Sequence, residues 1–409
     1  MQEETYMIIP NSLLKERLAM VESRLREQGL NYLVVFSNGS SSGTANRTHG
    51  YLRYLCDWDA LSAPSVLVLR VGKEPVLLVP NSYYQRLAME KLWFKDIRKA
   101  PPKRLGPEVI SILQPLVSAN EKVGYIGRSE TPAPLYDALL QGLPGVEWIQ
   151  ADRIIDELRT IKDPVAITFH RRAAEISDAM FETLTREVRK GKKAYQLQAD
   201  VEHTARYEGC EYVTTFLPVG PVVDRARRTR REGLRVPQPG DQLVMATFLI
   251  YEGHWGHGIR TGTVGTPSDA QRRAFDIALE MQEAALEHVK PGLDLNDVWK
   301  ASASVFKKHY PKTDSSNWIW LRTGHGIGLD YSDPILTEAF RYPYEIPEGE
   351  DGEDPSEKTA IRIEAGMLLM LHPNVFLPNE AAGAIGDMVL VTEDGYEILN
   401  GFPRELIIW

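Results

Sequence analysis

The feature that most restricts this chain is the dipeptide Asp163-Pro164, where the hydrophobic rhythm changes. Proline has no N–H to lose in a first helical turn, and an aspartate before it can accept from an orphan amide. The pair therefore predicts a helix start, and a helical pattern follows from about residue 165 to 189. Before the break, Leu13, Leu14, Leu18, Met20, Val21 and Leu25 recur at helical spacing across residues 12–29, and Gly29 ends the run. Strand-like segments at 32–36, 65–69, 75–79 and 122–126 alternate with helical patterns. That alternation reads as an α/β domain over residues 1–158. After the break, helices are expected near 194–208, 268–290 and 294–310, with a hairpin region across 211–264. Strands are expected near 320–331, 366–376 and 386–400, so residues 159–409 read as an α+β domain.

Composition narrows the function classes. With 409 residues, 43% hydrophobic and 25% charged, the chain can bury a core in each half. A net charge of -9 argues against nucleic acid as a partner, because no domain-wide basic field exists. Cys56 and Cys210 are too few for a disulfide framework and read as small buried thiols in a reducing cytoplasm. The amino-terminal segment lacks a basic and then apolar secretory pattern, and no run reaches the ~18 apolar residues of a membrane span. The expectation is a cytoplasmic protein acting on a small-molecule substrate, without membrane or nucleic-acid partners. The acidic run 347–357 reads as a solvated loop.

Three glycine-punctuated segments carry the chemistry: Thr323-Gly-His-Gly-Ile-Gly-Leu329, Gly366-Met-Leu-Leu-Met-Leu-His372-Pro373 and Gly386-Asp-Met-Val-Leu-Val-Thr392. They follow Leu158-Arg-Thr-Ile-Lys-Asp-Pro164, Pro239-Gly-Asp-Gln-Leu-Val244, Arg260-Thr-Gly-Thr-Val-Gly-Thr-Pro267 and Lys290-Pro-Gly-Leu-Asp294 in a fixed order. With these signatures the chain resembles the creatinase/prolidase/methionine aminopeptidase superfamily. The resemblance implies an α/β N-terminal domain plus an α+β pita-bread C-terminal domain. It also implies a homodimer, in which the N-terminal domain of one subunit reaches the other's active site.

In the metallopeptidases of that superfamily, two Asp, one His and two Glu hold a pair of divalent ions. Carried over position by position, the first Asp falls at Ala246 and the second at His257, eleven residues later. The His falls at His325, the first Glu at His372 and the second Glu at Gly386. The resemblance therefore implies the fold but not the two-metal route. Decay would scatter assorted residues over these positions, whereas two of the four departures are histidines.

Two chemistries stay open. Three imidazoles can hold one zinc, iron or manganese ion with an open position. Alternatively, His257, His325 and His372 can work without metal as general acids and bases, as creatinase does on this fold. The metal-free reading is the one adopted. His254, in Gly253-His-Trp-Gly-His-Gly258, is either a further catalytic residue or a histidine facing away. In the Arg-rich run 224–231, Arg228 and Arg230 either hold a substrate anion or form an exposed basic loop. Arg47 and Trp58 are expected at the substrate through the partner domain, and Asp387 at the substrate or behind His372. Together these residues suit a creatinase-like hydrolase that cleaves a C–N bond of a small polar non-peptide metabolite. A lyase on the same scaffold and a non-catalytic binding module are the alternatives.

Overall fold

The structure, a computed structural model, describes residues 8–223, 232–311, 323–332 and 360–409. The Arg-rich run 224–231, with Arg228 and Arg230, and the acidic segment 347–357 lie outside the described residues, as does part of the strand expected at 320–331. The chain forms two compact units, Met1–Arg159 with Leu329–Tyr331, and Thr160–Gly328 with Ser332–Trp409.

The first unit is α1 (Asn11–Glu27), β1 (Tyr32–Ser37), α2 (His49–Cys56), β2 (Ser65–Arg70), β3 (Val76–Val79), α3 (Ser82–Lys91), β4 (Ile97–Lys99), α4 (Leu105–Leu113), β5 (Lys122–Ile126), α5 (Ala133–Gly142), β6 (Glu147–Gln150) and α6 (Asp152–Thr160). Its six strands form one sheet in the order β4-β3-β2-β1-β5-β6. Side chains alternate across that sheet, so Leu33 and Val35 pack with α1 and α2 residues while Val34 and Phe36 join a second core with Val109 and Leu139. Both faces are covered, which is why β1 is apolar throughout. Leu329–Tyr331 belong here because Asp330, buried, accepts from the Gly50 amide at 3.0 Å and pairs with Arg159.

The second unit is α7 (Pro164–Glu187), α8 (Ala194–Tyr207), β7 (Tyr212–Phe216), β8 (Val219–Gly220), β9 (Gln242–Tyr251), β10 (His254–Thr263), α9 (Asp269–Leu286), α10 (Leu295–His309), β11 (Gly324–Gly326), β12 (Leu368–Leu371), β13 (Asn374–Leu377), β14 (Ala381–Ala384), β15 (Asp387–Val391), β16 (Tyr396–Ile398) and β17 (Ile407–Ile408). Asp163 caps α7 as expected, its side chain accepting from the Ala166 amide at 2.9 Å. One sheet runs β17-β10-β9-β7, with β8 on β9, and a second runs β11-β12-β15-β16. Helices α7 and α8 bury Met180, Leu184 and Leu197 against Met245 and Leu249 of β9. Helices α9 and α10 bury Leu286, Leu295 and Val298 against Leu369, Leu371 and Val389.

The two sheets are tied where β10 passes the start of β15. Ile259 and Gly386 exchange backbone hydrogen bonds of 3.1 and 3.0 Å. Beside them lies Arg260, 1% exposed. Its Nε donates to the Pro403 carbonyl, Nη1 to those of Ile259 and Gly386, and Nη2 to the Phe402 carbonyl and to Asp387 Oδ1 at 2.7 Å. A guanidinium has five N–H groups, and all are spent on this seam. Removing one partner of a buried charge pair typically costs about 3–5 kcal/mol, whereas removing a helix N-cap costs about 1 kcal/mol. Arg260→Ala is therefore expected to lower the urea midpoint of the second unit far more than Asp163→Ala. Equal effects in near-ultraviolet circular dichroism would show that the seam is not a major stabilising element.

Candidate active site

Three histidines meet on facing sheet surfaces of the second unit. In the β9–β10 ladder His257 lies opposite Phe248, and Ala246 lies opposite Ile259. Residues two apart share a strand face, so Ala246, Phe248, His257 and Ile259 line one surface. The His257 ring stacks on Phe248 at 4.5 Å between centroids. In the other sheet His325 lies opposite Met370, and Met370 opposite Met388. His372 is two residues beyond Met370 and shares its face; continuing the register sets it opposite Gly386. Leu369, Leu371 and Asp387 point the other way, towards α9 and α10.

The trio is enclosed, with exposures of 1% for His257, 0% for His325 and 3% for His372. Ring centroids are 5.1 Å apart for His325 and His372, 5.5 Å for His257 and His372, and 6.0 Å for His257 and His325. One ring nitrogen of each lies within 4.8 Å of the others, the only such group of His, Cys, Asp or Glu among the described residues. The glycine before His325 has a steric cause. A Cβ at Gly324 would overlap the Met370 carbonyl of the paired strand.

Hydrogen bonds orient each ring. His257 Nδ1 donates to the Thr247 carbonyl, and His325 Nδ1 donates to the Gly326 carbonyl at 2.7 Å. Carbonyl oxygens only accept, so both rings carry their proton on Nδ1 when neutral and leave a lone pair on Nε2. His372 differs: its Nδ1 faces the Asn374 amide nitrogen at 3.1 Å.

The positions where the resemblance places carboxylates do not suit a pair of divalent ions. Ala246 offers no donor. At Gly386 an added Cβ would sit 2.6 Å from Met370 Cε, 2.9 Å from His372 Cβ and 3.0 Å from Ile259 Cβ. Neighbouring side chains already occupy the room a glutamate would need. No carboxylate is left at the mapped positions to bridge two hard cations.

With this geometry in view, comparison with known proteins gives the lineage. Residues 168–393 match the metallopeptidase family M24, and residues 17–161 match the creatinase/prolidase N-terminal domain. The chain belongs to family M24. An Xaa-Pro dipeptidase of Pyrococcus furiosus is 26% identical over 272 residues, covering 64% of this chain and 69% of that one. One from Pyrococcus horikoshii is 23% identical over 351 residues, covering 83% and 88%. The crystal structure of the Pyrococcus horikoshii OT3 prolidase superposes with a TM-score of 0.75 at 19% identity, covering 96% of this chain and all of that one. The two-domain α/β plus α+β pita-bread architecture read from the sequence is the architecture found.

This M24 chain does not bring all the expected site residues together. His254 is set apart from the trio, because three residues along β10 reverse the side-chain direction. Its ring stacks on Phe169 at 5.0 Å and meets His170 edge-on at 5.0 Å, both on α7. Trp58 is a core residue of the first unit, 2% exposed, with its indole N–H donating to Ser65 Oγ at 3.1 Å. Arg47 is exposed there, and its backbone amide donates to Glu130. Asp387 faces away from the trio; it holds Arg260, accepts from Gln282 at 3.0 Å and pairs with Arg404 at 3.3 Å. It supports the seam behind the site. Both cysteines are free and buried, each thiol pushed up to about 12 by burial. Asn374 and Gln282 were not singled out in the sequence. The only signal for Asn374 was its place two residues after His372, on the same side of an extended strand.

Two expectations follow. Gly386→Glu supplies the missing carboxylate where its Cβ collides with His372 and Ile259, so it should lower thermal stability and still bind no second manganese ion by calorimetry. Retained stability together with a bound ion pair would refute the packing argument. His170 is held neutral, its pKa pushed down to about 3 chiefly by burial, with Lys162 adding to the shift. Because the unfolded chain binds that proton first, His170's contribution is complete above its ordinary pKa of about 6.5 and is lost as pH falls towards about 3. Between pH 7 and 4 the wild type should therefore lose more stability than His170→Gln. Parallel urea-midpoint curves would contradict this.

Proposed function

We propose that this M24 chain is a hydrolase of a C–N bond in a small polar substrate, with His257, His325 and His372 as its reacting side chains. The observation that carries the reading is the trio: three buried imidazoles, on β10, on β11 and just past the end of β12, at positions that the family resemblance gives to its metal centre. The named dipeptidase relatives support hydrolysis of an amide-type C–N bond. The donor set argues against performing it with two metals, and so against Xaa-Pro dipeptides as the substrate. An amide, cyclic amidine or ureide fits instead.

Imidazole suits both halves of such a reaction, since it exchanges a proton near neutral pH. His325 and His372, the closest pair, carry the reaction. One takes a proton from water as its oxygen bonds to the substrate carbon, then gives that proton to the departing nitrogen as the C–N bond breaks. The other donates a hydrogen bond to the substrate. One water is consumed, and both rings end as they began. The protein acts as a homodimer in this reading.

The test is a panel of Xaa-Pro dipeptides and of small amides, cyclic amidines and ureides, read by amine or ammonia release with and without manganese or cobalt. Turnover is expected among the non-peptides and none among the dipeptides. His325→Ala should lower kcat/KM about 10²- to 10⁴-fold in a protein that stays folded by far-ultraviolet circular dichroism. Robust Xaa-Pro cleavage would overturn the substrate class. Turnover that survives His325→Ala would overturn the site, and elimination products in place of hydrolysis products would identify a lyase.

A further inference from the structure

The three histidines are not equivalent, and the difference lies outside the trio. His257 and His325 each spend Nδ1–H on a backbone carbonyl, which cannot turn round. His372 Nδ1 lies 3.1 Å from Asn374 Nδ2, and an amide nitrogen only donates. The His372 nitrogen must therefore accept, and its proton resides on Nε2. Asn374, partly buried at the start of β13, is held by its strand pairing with Ala384.

We infer that Asn374 is a positioning residue that fixes His372 in the Nε2–H form, making the trio one proton donor and two acceptors. This rests on the acid–base reading above and assigns its roles. His325 Nε2 takes the proton from water and passes it to the leaving nitrogen, while His372 Nε2–H donates a hydrogen bond to the substrate atom that gains electron density. The step balances, because the proton lost by water is the one the leaving nitrogen receives, and neither ring is left as an imidazolate. The same asymmetry opposes a three-nitrogen metal site. A single ion needs a lone pair from every ring, and Asn374 occupies the one nitrogen at which His372 keeps its own.

Aspartate is nearly isosteric with asparagine but carries only acceptors, so the assignment is open to reversal by substitution. Asn374→Asp puts an acceptor opposite His372 Nδ1, moves the proton there and frees Nε2. The carboxylate–histidine arrangement that results is one that favours metal ligation.

Long-range proton–nitrogen correlation spectra of the full-length protein labelled with ¹⁵N-histidine, at pH 8, read the tautomer directly without a substrate. His372→Gln identifies the His372 signals. The expected wild-type pattern is a pyridine-type Nδ1 and a pyrrole-type Nε2 at His372, with the reverse at His257 and His325. In Asn374→Asp the His372 pattern should invert, and titration with zinc chloride should tighten at least tenfold. A pyrrole-type Nδ1 at His372 in the wild type overturns the inference, as does an unchanged tautomer in a folded Asn374→Asp. Should that variant not fold, Asn374→Leu serves, with a mixture of His372 tautomers expected and a single Nε2–H form overturning the inference. None of these readouts depends on turnover, so the acid–base roles can fail while the hydrolase reading stands, and the reverse.

Discussion

The site depends on a buried guanidinium that does not touch it. Arg260 draws the ends of two sheets together by donating to the carbonyls of Ile259 on β10, of Gly386 and of the segment that precedes β17, and to Asp387. Without that seam, His257 on one sheet and His325 with His372 on the other would have no reason to lie within 6.0 Å of each other. A planar fork with five donors suits this task better than a lysine, whose point charge cannot reach five acceptors at once. Phe181 and Phe402 lie close to the guanidinium, at 5.4 and 6.0 Å, and help keep water from its bonds.

Strand alternation then sorts polar residues into two groups that a linear reading runs together. Along β15, Gly386 faces His372 while Asp387, the next residue, faces α9 and is spent on Arg260, Gln282 and Arg404. Along β10, His257 enters the site while His254 is packed against Phe169 and His170. In each case the alternate residue points into the packed frame beside the site. Asp387, buried and bonded to Arg260 and Gln282, helps hold that frame.

The fold was legible because its signals were local. Asp163-Pro164 starts α7, and the continuous apolar run Tyr32–Phe36 marks β1. The trio was legible by counting along strands whose period is fixed. For His254 the two-residue period already pointed away from the trio, and Trp58, expected at the site through the partner domain, is packed in the core of its own unit. Arg260 and Asn374 were not legible as site supports, since what each does depends on register between strands far apart in the chain. Gln282 bonds to Asp387 across 105 residues, a pairing that no local pattern encodes.

The packing at Gly386 bears on whether the departures from the family pattern are decay. Deleting a glutamate side chain from a finished interior leaves a void, and interiors tolerate voids poorly. No such void is left at Gly386: Met370, His372 and Ile259 reach within 3.0 Å of where a side chain would begin. His372 itself supplies part of that filling, so the loss of one carboxylate and the conversion of another to imidazole form a single packing solution. Phe248 makes the same point on the opposite surface, where its ring covers His257 beside a position too small to bind anything. The close packing around Gly386 and His257 therefore leaves no unfilled space where a glutamate side chain would stand.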